Sequence, residues 1–366
     1  MPRVALVHEF LTQLGGAERV LENLIEIFPD APIFTLVHDR KKTKEKFAGL
    51  DIRTSFVQKL PGGVKKYKWY LPLLPKAIES FDLRAYDLVI SDSSAFAKGI
   101  KTKKPTLHIC YCHTPTRYLW ESMGEYVKSL AYPGIIKKVA KLYLRHYLKN
   151  WDYHAAQRPD YFVANSHTVE KRIKKYYNRE SSVIYPPVDT EFFRVTAEKK
   201  GYYFTASRLE PYKKIDLVVG AFNKLGFPLK VAGSGTDFDA LKNDSQKNIE
   251  FLGAVSDNEL RNLYSGAEAF IFPAFEDSGI MVLEALSCGT PVIGFAQGGT
   301  AEFVRDGENG ILFTTQSAEA IIDAIGRLHD YKFESDKLRD SVLQFSQVNF
   351  RKNITSFIKT KTGISL

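Results

Sequence analysis

AFIFPAFEDSGIMVLEALSCGTPVIGFAQGG, Ala269 to Gly299, decides the fold class of this chain. Ala269 to Phe272 is a short apolar run that suits a buried strand. A loop carrying Glu276, Asp277, Ser278 and Gly279 follows, then a helical pattern, Ile280 to Ser287, that Gly289 and Pro291 end. Pro291 to Phe295 is a second apolar run, leading into Gly298-Gly299. Strand, polar loop and helix start together build a site. The free N–H groups and dipole at a helix start favour anions. Glu276 in the loop and Glu284 about a turn into the helix add two carboxylates, which suit sugar hydroxyls better than phosphate.

The same alternation runs outward in both directions. Downstream, Arg305 to Gly310 is turn chemistry before a strand at Ile311 to Phe313. Upstream, Tyr202 to Ala206, Leu229 to Ala232 and Ile249 to Leu252 read as strands. They end in Ser207-Arg208-Leu209, Gly233-Ser234-Gly235 and Gly253-Ala254-Val255. Ser256 with Glu259 forms a capping-box pattern for the next helix. In one parallel sheet these strand ends share an edge, where open α/β sheets bind ligands. Arg208 and Lys213 give two cations able to hold a diphosphate, Arg in bidentate fashion and Lys as a point charge. The glycines let backbone approach a ligand closely. Glu284 suits a ribose diol. Taken singly, Arg208 and Lys213 read as ordinary surface charge; the composite suits a nucleotide diphosphate carrying a sugar.

An earlier series of the same kind precedes it. Val4 to His8 reads as a strand, Glu9 to Gly16 as a loop ending in Gly15-Gly16, and Ala17 to Phe28 as a helix. Ile33 to Val37 and Ile52 to Val57 read as strands around a basic loop, Arg40 to Lys46. Tyr86 to Ser91, Thr106 to Cys112 and Asp160 to Asn165 follow. His113-Thr114-Pro115-Thr116-Arg117 stands directly after a strand, which favours a site role for His113 over simple packing. Pro186-Pro187 opens an interdomain linker. Two runs of strand–helix units predict two doubly wound α/β domains.

Composition sets limits. With 366 residues, 44% hydrophobic and 25% charged, the chain has material for two globular cores. Its three cysteines are too few for a disulfide framework, which fits a reducing, cytoplasmic setting. Cys110 and Cys112 lack a second ligand pair, so no metal site is expected. No G-x-G-x-x-G follows a strand and no G-x-x-x-x-G-K-[ST] is present, which disfavours a dinucleotide-dependent dehydrogenase and a P-loop enzyme.

The net charge of +9 is uneven, with 32 Lys+Arg against 21 Asp+Glu over residues 1–198 and 19 against 21 beyond. The first half therefore expects an anionic partner. Lys59–Lys76 has five lysines, no acid and the aromatic pair Trp69-Tyr70. Lys128–Lys149 has six basic residues and no acid, with Lys137, Lys141, Arg145 and Lys149 on one stripe. Each reads either as packing with a solvated face or as an interfacial segment on an anionic membrane. No nucleic-acid motif is present, so nucleic acid is not expected as a partner.

Glu276 and Glu284, with seven residues between them, resemble the E-x7-E signature of retaining glycosyltransferases of family 4. EALSCGTPVIG around Glu284, SRLEPYKKID around Arg208 and Lys213, GGAERV from Gly15 and YCHTPTRYLW around His113 are similar to further motifs of that family. The resemblance implies a GT-B fold: two Rossmann-like doubly wound domains facing each other across a cleft. It implies residues 1–190 as acceptor domain, 191–344 as donor domain and 345–366 as a helix crossing back, within Phe345 to Ile358. It implies Arg208 and Lys213 on the donor diphosphate with Gly15 and Gly16 facing the same phosphates, and Gly233 and Ser234 in the donor site. Val255 would meet the base, Glu284 the ribose and Glu276 a sugar hydroxyl. Ser278, Gly279 and Ile280 would offer N–H groups, and His113 would face the transferred sugar. His113, Glu276, Arg208 and Lys213 are then the catalytic set, with no metal and no cofactor.

Where many members carry an aromatic-glycine pair, this chain has Asp277-Ser278-Gly279. That variant is most similar to O-antigen-type enzymes using GDP-mannose. The expectation is a mannosyltransferase acting on a saccharide or lipid-linked saccharide in cell-surface polysaccharide synthesis, peripheral on the inner face of the membrane. A UDP-sugar-dependent transferase, a GT-B sugar-nucleotide epimerase and a non-enzymatic basic binding protein are the alternatives.

Overall fold

The computed structural model describes residues 2–129 and 133–364. Contacts divide the chain into two units, Met1–Tyr185 with Phe350–Leu366, and Pro186–Asn349.

The first unit holds a seven-stranded sheet, β1 (Val4–Leu11), β2 (Ile33–His38), β3 (Ile52–Thr54), β4 (Leu88–Ser93), β5 (Leu107–Cys112), β6 (Tyr161–Ala164) and β7 (Ser182–Val183). Its order is β3-β2-β1-β4-β5-β6-β7, and every pair is parallel. Val4, Leu6, Leu88 and Ile90 enter one core, while Ala5, Val7 and Val89 enter the other. Burial on both faces explains why VALV reads as a continuous apolar run and not as an alternation.

The second unit repeats the plan with β8 (Tyr202–Ala206), β9 (Leu229–Ala232), β10 (Ile249–Gly253), β11 (Ala267–Phe272), β12 (Val292–Phe295) and β13 (Gly310–Phe313). Its order is β10-β9-β8-β11-β12-β13, again parallel throughout. Tyr203, Val231, Ala269, Ile271, Ile293 and Ile311 fill one face. On the other, Phe204, Phe270 and Tyr264 form an edge-on aromatic cluster, with Tyr264 5.0 Å from Phe270 and 5.4 Å from Phe204. Each sheet reverses its winding once, between β1 and β4 and between β8 and β11. Those reversals are where an open α/β sheet leaves a crevice. Both units are Rossmann-like and doubly wound.

Several boundaries differ from the sequence reading. β1 runs on to Leu11, which puts His8 and Glu9 inside the strand. Arg40–Phe47 is a helix and not a loop, because Asp39 caps it by accepting from the backbone N–H groups of Lys41 and Lys42. β3 stops at Thr54, where Ser55 accepts from Val57 N and starts a 3-10 turn. The second unit begins at Pro186 and not at residue 191: Val188 N–H donates to Phe345 O at 2.9 Å and Gln347 N–H to Val188 O at 3.1 Å. It ends at Asn349, beyond the expected 344. The last helix is Gln347–Thr362, and its Phe350, Ile354 and Ile358 enter the first unit's core.

Lys128–Lys149 is not one helix. Residues 130–132 lie outside the described residues; Gly134–Leu142 is α-helical and Tyr143–Leu148 a π-helical continuation. Leu144 and Leu148 are buried, whereas Ile135, Val139 and Leu142 are more than half exposed, Ile135 at 75%.

Candidate active site

The second unit brings its strand-end loops to one sheet edge, as parallel strands must. The loop after β8 holds Arg208, whose Nη2 donates to Tyr212 Oη at 2.7 Å. It then turns through Pro211–Lys213, and Lys214 takes a left-handed φ of 59° to enter the helix Ile215–Leu225. That turn delivers Lys213 to the loop after β11, where its ammonium pairs with the Glu276 carboxylate. Two expected site residues 63 positions apart are thus in direct contact.

Glu276 is fixed from a third loop. Gly299 N–H donates to Glu276 O at 2.7 Å. Gly298 has a φ of 70°, and a Cβ there would stand 2.3 Å from Glu276 O. A Cβ on Gly299 would meet Ser278 C at 2.7 Å. Gly298 and Gly299 hold the Glu276 loop by close backbone contact, a role that the reading of Gly298-Gly299 as a strand end did not reach. The helix Ile280–Ser287 starts at Gly279, itself left-handed at φ 58°, with no side chain capping it. Ser278 and Ile280 flank that start and are half-buried.

Glu284 sits deeper on the same helix at 2% exposure, and Tyr264 Oη donates to its Oε2 at 3.3 Å. Tyr264 therefore joins the aromatic face of the sheet to this carboxylate. Val255, half-buried, follows β10 just ahead of Ser256, whose capping box with Glu259 is present.

Gly233 and Gly235 have a different neighbour from the one expected. A Cβ on Gly233 would stand 1.8 Å from Ser207 O, and one on Gly235 2.2 Å from Leu209 O. Leu209 N–H donates to Ser234 O at 3.0 Å. These glycines admit the backbone of the Arg208 loop, so they support the site through another loop.

In the first unit, Gly15 precedes the helix Gly16–Ile27 in an extended conformation, and Glu18 lies in that helix's first turn. His113 follows β5, its N–H donating to Ser93 O at 2.8 Å. Its Nε2 lies 2.5 Å from Asp92 Oδ1. Asp92 Oδ2 lies 2.8 Å from His8 Nδ1, and His8 Nε2 lies 3.5 Å from Glu18 Oε1. Burial opposes charge on His8, but Asp92 and Glu18 outweigh it and raise its pKa to about 10. Burial likewise opposes charge on His113, and Asp92 raises its pKa above the ordinary range. Glu9 Oε1 accepts from Ser93 Oγ at 3.0 Å, Ser94 N at 2.8 Å, Ala97 N at 3.2 Å and also Ala95 N. His8, Glu9, Glu18 and Asp92 were absent from the sequence-based set. The rule that singled out His113, a polar residue at the end of an apolar strand, applies equally to His8 after VALV and Asp92 after LVIS.

Cys110 and Cys112 are free and buried, packed with Phe162, Ile173 and Tyr177.

Residues 14–192 match the family model described as Glycosyltransferase Family 4, and residues 188–344 match Glycosyl transferases group 1. The two units are domains of the glycosyltransferase superfamily. Among related glycosyltransferase sequences, the O-antigen chain mannosyltransferase RfbU of Salmonella typhimurium is 28% identical over 228 residues, 56% of this chain and 63% of that protein. The glycogen synthase of Thermus thermophilus is 34% identical over 148 residues, 38% of this chain. The chain spans 34% of the length of that synthase. Among solved structures, Anabaena HepE in complex with UDP and glucose superposes with a TM-score of 0.73 at 16% identity, covering 98% of this chain and 100% of that one. Sucrose-phosphate synthase from Thermosynechococcus elongatus gives 0.77 at 16% identity, covering 98% of both.

Proposed function

We propose that this chain is a retaining, metal-independent mannosyltransferase that moves mannose from GDP-mannose to a saccharide or lipid-linked saccharide acceptor in cell-surface polysaccharide synthesis. The observation that carries the transferase reading is the Lys213–Glu276 pair in front of the uncapped helix Ile280–Ser287. A cation, a carboxylate and a helix start together match the three parts of a sugar diphosphate. The diphosphate takes Lys213 and Arg208, and a sugar hydroxyl takes Glu276. Ser278, Gly279 and Ile280 supply N–H donors. Glu284 takes the ribose and Val255 the base, with Ser234 lining the donor site and Gly233 supporting the Arg208 loop beside it. His113 acts on the transferred sugar.

Catalysis in this reading is electrostatic. As the anomeric C–O bond breaks, the electron pair stays on the diphosphate, and Arg208 and Lys213 neutralise the growing charge without a metal ion. Mannose as the sugar is supported by the similarity to RfbU, named an O-antigen chain mannosyltransferase. A uridine donor is the second reading, favoured by HepE, which was solved with UDP and glucose.

In this reading the acceptor is met at an anionic membrane surface. No helix among the described residues is long and apolar enough to cross a membrane. Trp69 is 63% exposed, and the helix from Gly134 shows Ile135, Ile136, Val139 and Leu142 to solvent. Apolar side chains beside lysines suit insertion at a headgroup boundary.

A thermal-shift panel of GDP-, UDP- and ADP-sugars tests the donor. GDP-mannose is expected to give the largest rise in Tm, and turnover of it is expected to persist in excess chelator. A larger rise with UDP-glucose moves the donor to uridine; no rise with any sugar nucleotide defeats the reading.

A further inference from the structure

His8, Asp92 and His113 come from three neighbouring strands. β1, β4 and β5 lie side by side, with His8 opposite Asp92 in the register. His113 is the first residue beyond β5, whose Cys112 is opposite Ser93. The result is a row of groups across the sheet end: Glu18, His8, Asp92, His113. His8, Glu18 and Asp92 are buried, and the His113 side chain is 13% exposed. Nδ1 of His113 has no hydrogen-bond partner among the described residues.

Buried charge is tolerated only when paired. With both imidazoles protonated the row alternates in sign, carboxylate, imidazolium, carboxylate, imidazolium, and is neutral. Removing the His113 proton leaves an uncompensated buried carboxylate. Glu9, whose donors come from the neutral Ser93–Ala97 segment, acts on His113 in the same direction as Asp92 and further favours its imidazolium.

We propose that Asp92, held in place by His8 and Glu18, is a positioning residue that holds His113 as an imidazolium, so that it meets a ligand oxygen through Nδ1–H as a hydrogen-bond donor and not as a general base. Asp92 grips the Nε2–H of His113, and His8 with Glu18 keeps Asp92 ionised and in place. The row also ties the loop of Gly15 and Gly16 to the loop of His113, because Glu18 sits in the first turn after those glycines. The raised pKa of His113, with Asp92 outweighing burial, agrees with this arrangement. The inference rests on the proposed role of His113 on the transferred sugar.

The test is imidazole 15N NMR of the full chain across a pH titration, with His113 identified by the signal lost in His113→Gln. The wild-type midpoint for His113 is expected above the ordinary value of about 6.5. Asp92→Asn is expected to lower it by about one unit or more, since an opposite charge is lost. His8→Gln is expected to raise it, since a like charge is lost. Opposite shifts from two substitutions around one ring are not produced by a merely structural role. A wild-type midpoint at or below 6.5, or no shift or shifts of one sign in both variants, overturns the proposal. If Asp92→Asn does not fold by circular dichroism, the wild-type midpoint and the sign in His8→Gln decide. Turnover of GDP-mannose by His113→Gln separates the two readings. Unchanged turnover with the expected midpoint shifts removes the sugar role of His113 and leaves the row standing.

Discussion

Lys213 is held by the carboxylate of Glu276, so a ligand that uses both competes with the contact between them. A sugar diphosphate can do so without leaving either group bare: phosphate replaces the carboxylate on Lys213, and a hydroxyl replaces the ammonium on Glu276. Removing one partner therefore has unequal effects. Lys213→Ala is expected to lower kcat/KM for the donor by about 100-fold or more, as loss of one charge-stabilising donor does. It is also expected to weaken GDP binding in calorimetry. Glu276→Ala is expected to lower transfer while leaving GDP affinity near or above wild type, because Lys213 is then unpaired. Equal loss of GDP affinity in both variants would sink the division of labour.

Gly298→Ala tests the backbone contact that shapes the Glu276 loop. The position has a φ of 70°, and the new Cβ would stand 2.3 Å from Glu276 O. Its ψ of −155° puts it in a region open almost only to glycine, which costs a side chain roughly 1–3 kcal/mol, and the contact with Glu276 O adds to it. The Tm is expected to fall and donor turnover to fall further than stability explains, since Glu276 moves. Gly220→Ala is the control. Gly220 lies inside the helix Ile215–Leu225, and its Cβ would meet only Ala318 Cβ at 3.8 Å. There alanine is expected to stabilise by about 0.5–1 kcal/mol without touching turnover. Both are read from thermal melts and initial rates.

What was legible in the sequence was local. Ile280–Ser287 is read with its own bounds, because Gly279 starts it and Cys288-Gly289 stops it. Ser256 with Glu259 announces its helix by a pattern four residues long. What escaped depends on neighbours. His8, Glu9 and Asp92 look like polar ends of apolar runs until β1, β4 and β5 stand side by side. Gly233 and Gly235 suggest ligand approach, whereas the atoms they admit belong to Ser207 and Leu209, more than twenty residues earlier. The helix Arg40–Phe47 is masked by its lysines, and its only local sign is the cap at Asp39.

His8 gives stability a pH dependence of known sign. Its pKa is raised to about 10 in the folded chain by Asp92 and Glu18, against burial. The ordinary unfolded value is about 6.5. The folded state thus holds this proton more tightly, and the stabilisation is complete below pH 6.5. It declines as pH rises through that value and is lost by the time pH passes about 10. Tm of the wild type is expected to fall over this window, and His8→Gln is expected to start lower and change less. A variant whose Tm falls as steeply as the wild type would assign the slope to other groups.

The exposed helix face separates cations by what already engages them. Lys137 Nζ donates to Lys128 O at 2.8 Å, and Lys149 Nζ lies 4.3 Å from the centre of the Trp120 ring. Lys138, Lys141 and Arg145 are exposed and have no ion-pair partner among the described residues. They stand beside Ile135, Val139 and Leu142, so the face offers apolar insertion and positive charge together. A basic residue near an anionic surface contributes about 1 kcal/mol. Replacing Lys138, Lys141 and Arg145 with Glu is therefore expected to abolish co-sedimentation with vesicles containing phosphatidylserine. Replacing Lys137 and Lys149 with Gln is expected to weaken it less. Binding of the wild type is expected to fall as salt rises, within the reach of Debye screening. Trp69→Ala probes the other segment, where Lys66 Nζ lies 4.3 Å from the centre of the Trp69 ring. It is expected to lower binding even at high salt, because what it removes is apolar. Vesicle binding indifferent to all three sets of changes would leave the exposed apolar face without a membrane to cover it.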